Sequence, residues 1–212
     1  MSDVRSLTFC VKCVKLLTMA AISTSTAARE QRIDEIRRAA IPVFAAQGFR
    51  GTSMADLAQA AGVSRPALYQ YFDNRADLFR AAFQVLLEDA TDAALATLEA
   101  DGTVAERLDR YLQRASGDGY EALAATAFGT ELMEARHEFA ADVAQGALDR
   151  ARRGLRAFVN SNTTVEARTK AAVIDLLILS PAGLKGDDPT PTTYRRRLTT
   201  LANAAAGLLD DG

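Results

Sequence analysis

The stretch GTSMADLAQAAGVSRPALYQYF, residues 51–72, leaves the chain few ways to fold. Met54, Leu57, Ala58 and Ala61 recur at three- and four-residue spacing and share one face of a short helix. Thr52 or Ser53 can cap it, and Asp56, three residues after Ser53, completes a capping box with Asp in place of Glu or Gln. Gly62 ends that helix in a tight turn and Val63 plugs back toward the core. Ser64 caps a second helix, expected over 65–72, whose first turn tolerates Pro66 because early helical amides have no internal partner. Two short helices joined by about three residues containing Gly form a helix-turn-helix, and Ala58 and Ala61 let the pair approach closely.

The flanks extend the pattern. Ile33, Ile36, Ala40, Val43 and Phe44 form one apolar stripe, which predicts a helix over about 30–47. Gly48 is a suitable stop for it, and Pro42, which cannot donate to the carbonyl four residues back, predicts a local bend. Phe49 reads as a core plug. Asn74, with Asp77 three residues on, caps a fourth helix beginning RADLFRAAFQVLL.

On the expected helix 65–72, Leu68 and Phe72 point inward together. Arg65, Pro66, Tyr69, Gln70 and Tyr71 occupy the rest of its surface, with Ser53 and Ser64 at the helix starts. A recognition helix enters the major groove with its N-terminal end first. Arg65 could then bond a guanine edge or a phosphate, Gln70 could read adenine, and the tyrosine hydroxyls have the reach of phosphate oxygens. Thr52 and Arg75, at neighbouring helix starts, are placed for backbone contacts. For Tyr71 simple packing beside Phe72 stays open. Charge is distributed to suit a contact made by the front: residues 29–80 carry eight basic and six acidic side chains, whereas 81–212 carry 14 and 20.

The run IPVFAAQGFRGTSMADLAQAAGVSRPALYQYFDNRADLF, residues 41–79, resembles the N-terminal DNA-binding domain of TetR-family transcriptional repressors. The helix end F--QGF-GTSM, the LA--AGVS turn, the LY-YF helix and the N---LF start of helix four occur in order. The resemblance implies that Thr52 and Tyr69 hold phosphate, that Arg65 and Pro66 lie at base edges, that Gln70 and Tyr71 face DNA, and that Arg75 contacts backbone. It also implies a homodimer and a small-molecule effector bound among the later helices. Tyr71 stands where the family often has histidine, DNR (73–75) stands near a common lysine, and Pro42 inside helix one is less usual. Base preference is therefore not carried over.

Residues 7–22 are apolar but interrupted by Lys12 and Lys15, and are shorter than the ~20 apolar residues of a membrane span. Residues 1–28 read as a flexible extension, or as sequence upstream of a start at Met19. Cys10 and Cys13 have the spacing of half a zinc site, with no second Cys or His pair to complete it, so no metal and no cofactor are expected. Two thiols make no disulfide framework, and a reducing cytoplasm fits.

The remainder reads as helices near 75–100, 103–115, 119–127, 130–160, 164–180 and 191–209, without alternation of strand type. AAVIDLLIL (171–179) is apolar nearly all round, and LTTLANAAAGLL (198–209) carries one apolar stripe. Ile174, Leu177, Ile178, Leu198, Leu201, Ala205 and Leu208 are thus candidates for a four-helix dimer interface, against packing wholly within one chain. Candidate effector contacts are Tyr111, Tyr120, Phe128, Met133 and His137, with Phe139 beside them, each of which could equally be core. Arg150, Arg152, Arg153 and Arg156 read as a solvated face.

The expectation is an all-α protein of about nine helices. A flexible extension (1–28) precedes a three-helix helix-turn-helix DNA-binding domain (29–74) and a larger helical effector-binding and dimerisation domain (75–212). Its expected partners are a double-stranded DNA operator, a second copy and a small effector, with no membrane. One histidine, no glycine-rich phosphate loop and no G-x-S-x-G argue against an enzyme. The competing reading is a helical protein-interaction or architectural module that no longer reads DNA.

Overall fold

The computed structural model describes the backbone of residues 4–210 and the side chains of 26–210. The side chains of Cys10, Cys13 and the apolar run 7–22 lie outside the described residues. The elements are α1 Val4–Gly51, α2 Met54–Ala60, α3 Arg65–Leu68, α4 Arg75–Thr97, α5 Val104–Leu112, a π-helical turn Gln113–Gly117, α6 Asp118–Ala124, α7 Gly129–Phe139, α8 Ala141–Asn162, α9 Ala167–Gly183 and α10 Pro191–Asp210. Among the described residues there is no strand, and no helix is long and apolar enough to cross a membrane.

Two apolar clusters organise these helices. The first gathers Ile36, Ala40 and Phe44 of α1, Leu57 and Ala58 of α2, Leu68 of α3, then Phe72, and Leu78, Phe79 and Ala82 of α4, closed by Ala135 of α7. The second gathers Leu108 and Leu112 of α5, Leu155 and Val159 of α8, Val173 and Leu177 of α9, and Tyr194, Leu198 and Ala202 of α10. Helix α4 feeds both clusters, its first half going to one and Ala94 with the following Leu98 to the other. Each fully buried Leu or Phe contributes about 1.5–3 kcal/mol of transfer free energy.

Five differences from the sequence expectations have local causes. Helix α1 begins upstream of residue 30, at Val4. Its backbone stays helical through Pro42, and the departure falls at Gly48, whose φ of 72° and ψ of 173° lie in a region that glycine adopts without strain. Helix α3 is shorter than 65–72, because the amides of Gln70 and Tyr71 turn to the carbonyls of Ala67 and Leu68, three residues back. The expected helix over 130–160 is two helices, broken at Ala140 (φ −141°). At SGDG the chain widens into the π-helical turn instead of stopping. Arg195 lies on Gly117 there, 2.9 Å from where a Cβ would stand, and ties Gln113, Asp118 and Glu121 together.

The apolar stripe of α9 and α10 faces inward. Ile174, Leu177, Leu198 and Ala205 are buried within the single chain, Ile178 and Leu201 partly so, and Leu208 is exposed. The candidate interface residues are therefore mostly core, and the apolar surface left outside is that of Leu208 and Leu179.

Candidate nucleic-acid interface

The helix pair is built by its caps. Ser53 Oγ accepts from the amide of Asp56 (3.2 Å), and the Asp56 carboxylate accepts from the Ser53 amide (2.9 Å) and hydroxyl (2.6 Å). These bonds from Ser53 hold the Asp56 pKa below its ordinary value. Ser64 Oγ accepts from the Ala67 amide (3.3 Å), with Pro66 in the first turn. Between the helices Gly62 takes φ +63°, and the Val63 amide donates to the Ala58 carbonyl (3.0 Å). Leu57 and Leu68 are fully buried where α2 meets α3, with Ala58 beside them.

This scaffold leaves Arg65, Pro66, Tyr69 and Gln70 exposed together. Tyr69 is 43% exposed, high for a ring that could have packed, and the Arg65 guanidinium lies over it at 5.8 Å. The cations nearby are mostly engaged. Arg32 pairs with Glu35, Arg37 and Arg38 with Asp34, Arg38 also with Asp89, Arg50 with Glu134, and Arg80 with Asp142. Among the described residues of this domain, Arg29 and Arg65 have no ion-paired carboxylate and Arg75 bonds carbonyls instead.

Four of the expected contacts are placed differently from a free hydroxyl or cation aimed at DNA. Thr52 is buried, and its hydroxyl donates to the Gly48 carbonyl (2.6 Å). The Ser53 hydroxyl is held in the capping box. Arg75 folds back: its Nη1 donates to the carbonyls of Arg50 (3.0 Å) and Thr52 (2.7 Å), with the guanidinium 4.3 Å from the Phe49 ring centroid. Tyr71 packs against the front cluster, with the Arg29 guanidinium 5.5 Å above its ring. Sequence reasoning missed Arg29; its one signal was a cation just ahead of the expected helix.

In the second half a cavity of about 210 Å³ opens between α4, α5, α7, α8 and α9. Phe83, Leu87, Leu148 and Ile178 line it with several alanines, and Arg136 stands on its wall. Of the expected effector contacts, Tyr111 reaches the cavity, and burial pushes its phenol pKa up to about 12. Tyr120 packs against Tyr194 (4.6 Å) and donates to the Pro189 carbonyl (2.6 Å). The Phe128 ring covers Gly48, Met133 Sδ accepts from Arg136 (3.8 Å), and His137 is exposed. None of these four lines the cavity, and Phe139 instead packs against Phe49, its ring tilted by 32° with centroids 5.0 Å apart.

The helix pair with its exposed face, carried by α1 and α4 on a wholly helical body, defines a helix-turn-helix protein. Residues 36–82 match the family of bacterial regulatory proteins, tetR family. The uncharacterized HTH-type transcriptional regulator YezE of Bacillus subtilis (strain 168) is 39% identical over 69 residues, 32% of this chain and 36% of that protein. The HTH-type transcriptional activator FasR of Mycolicibacterium smegmatis is 38% identical over 56 residues, 26% of each. The matched segment thus spans about a third or less of these curated relatives. The solved TetR family repressor AlkX from Dietzia sp. superposes with a TM-score of 0.58 over 83% of this chain and 96% of that one, at 18% identity. The chain carries the N-terminal helix-turn-helix domain of the TetR family and has that family's fold.

Proposed function

We propose that this chain is a cytoplasmic, sequence-specific DNA-binding transcriptional regulator and not an enzyme, a homodimeric repressor released from its operator by a small molecule. The observation that carries the proposal is the uncovered set Arg65, Pro66, Tyr69 and Gln70, on capped helix α3 and the turn that follows it, inside the segment that matches the family. Arg65 is the uncompensated cation at the N-terminal end of that helix, suited to a guanine edge or a phosphate, and Gln70 is suited to adenine. Tyr69 is suited to a phosphate oxygen. Thr52, Ser53 and Arg75 act by holding the entry to α2 in place, Ser64 by capping α3, and Tyr71 by packing.

The division into 29–74 for DNA and 75–212 for effector and dimer is supported by the two apolar clusters, with Leu78, Phe79 and Ala82 of α4 and Ala135 of α7 packed against the first domain. Exposed Leu179 and Leu208 on α9 and α10 favour those helices as the face that meets a second copy. The cavity supports an effector site, with Tyr111 on its wall. Two recognition helices in such a dimer would read half-sites about one duplex turn apart or slightly more.

The test is selection from a random duplex library with the full chain, at 50 and 200 mM salt. Enrichment of a two-fold site whose binding weakens with salt is expected. Recovery of no sequence above background would contradict the proposal and favour a module that no longer reads DNA.

A further inference from the structure

We infer that the cavity takes a small carboxylate with an apolar body, its negative end held by Arg136. This rests on the regulator reading above and names the chemical class of the effector. The cavity has a volume of about 210 Å³. Its walls offer Phe83, Leu87, Leu148 and Ile178 to an apolar body, and Arg136 is the one charged side chain on them among the described residues.

That guanidinium is under-used. It donates to the Met133 sulfur at 3.8 Å and lies 6.0 Å from the Phe83 centroid, and no described carboxylate is within ion-pairing distance. A thioether and a ring face do not neutralise a cation on an apolar wall. A carboxylate would, because its two oxygens match two parallel N–H groups of the planar guanidinium. Lys185 adds to the same field. It has no ion-paired carboxylate among the described residues, and its ammonium lies over the Tyr194 (5.1 Å) and Tyr120 (5.4 Å) rings. Burial first, and the charge of Arg136 second, lower its pKa, which sets the two cations in one field.

The same helix carries the consequence toward the front of the molecule. Glu131 of α7 accepts from the Arg50 amide (2.5 Å), and Phe128, just before α7, packs on Gly48. Thr126 donates to the Ala45 carbonyl (2.8 Å). A ligand that draws Arg136 toward the cavity therefore loads the segment that holds the end of α1.

The test is calorimetric titration of the full chain with octanoate and benzoate, against octanamide and octylamine. At least one carboxylate is expected to bind, octanamide roughly 10- to 100-fold more weakly than octanoate and octylamine not at all. Preference between octanoate and benzoate separates an aliphatic from an aromatic body. Arg136→Gln should lose the carboxylate advantage while keeping the octanamide affinity, and Arg136→Lys should restore part of it. Equal affinity for octanoate and octanamide, indifference to Arg136→Gln, or binding by neither carboxylate overturns the inference. Titrating the DNA complex in parallel keeps the two readings apart. A carboxylate held through Arg136 that leaves DNA affinity unchanged upholds the ligand class and removes its effector role, whereas a chain that binds no DNA contradicts the regulator reading alone.

Discussion

Phe79 and Phe83 lie parallel on α4, their ring centroids 6.2 Å apart and their planes within 5°. Phe79 is a buried member of the front cluster, edge-on to Phe44 (5.1 Å) and Phe49 (5.3 Å), whereas Phe83 lines the cavity. One helical turn thus joins the two halves through aromatic contact. Phe79→Ala is expected to cost about 3–5 kcal/mol in urea unfolding, and half-buried Phe83→Ala clearly less. Equal losses would contradict this division.

Arg75 ties the carbonyls of Arg50 and Thr52 to the face of Phe49. An internal strut and a phosphate contact differ in their signatures. Arg75→Gln is expected to lower stability by about 1–3 kcal/mol while leaving the salt slope of DNA binding unchanged. A slope reduced by about 1, with native stability, would instead mean a phosphate contact.

At Gly48 conformation and packing agree. An added Cβ would face φ +72° and stand 2.7 Å from Phe128 Cδ1 and 2.9 Å from a Glu131 carboxylate oxygen. Gly48→Ala should cost roughly 1–3 kcal/mol in chemical denaturation, by strain of this backbone region. A loss below about 0.5 kcal/mol would show that α7 does not clamp this point.

Lys185 makes a prediction in pH. Burial and Arg136 lower its folded pKa below the ordinary 10.5, so the ammonium opposes folding while both states are charged. That opposition fades as pH rises from the lowered value toward 10.5. The unfolding free energy of the native chain minus that of Lys185→Met should therefore be flat at neutral pH and climb on the alkaline side. The facing phenols are Tyr120, raised by burial, and Tyr194, pushed up to about 12, and both are common to the two proteins. A difference that falls with rising pH would contradict the assignment.

What could be read in advance was short-range. Ser53 and Asp56, three apart, are a reciprocal cap, and Gly62 is the left-handed turn its place between two helices requires. The same holds for Leu57 and Leu68, whose spacing puts them on facing sides of the pair. The carbonyl partners of Arg75 were not legible, because a cation at a helix start suits a phosphate as well as two nearby carbonyls, and only the path of the chain at Gly48–Thr52 brings those carbonyls within its reach. Ala140 breaks a helix although alanine is the best helix former, so packing overrides propensity there. The cavity joins residues from Phe83 to Pro181 on five helices, and no local pattern states which faces converge. For that reason Tyr120, Phe128, Met133 and His137 were credible candidates that the cavity leaves out.

The most direct test of the central claim is a fluorescence-anisotropy titration on the selected operator, with excess random competitor, using the native chain, Arg65→Ala and Tyr69→Ala. The account predicts that native binding survives competitor and that each variant loses roughly 10-fold or more in affinity with an unchanged unfolding midpoint. Native binding that both variants leave unaltered would contradict it and place the DNA on another face of the molecule.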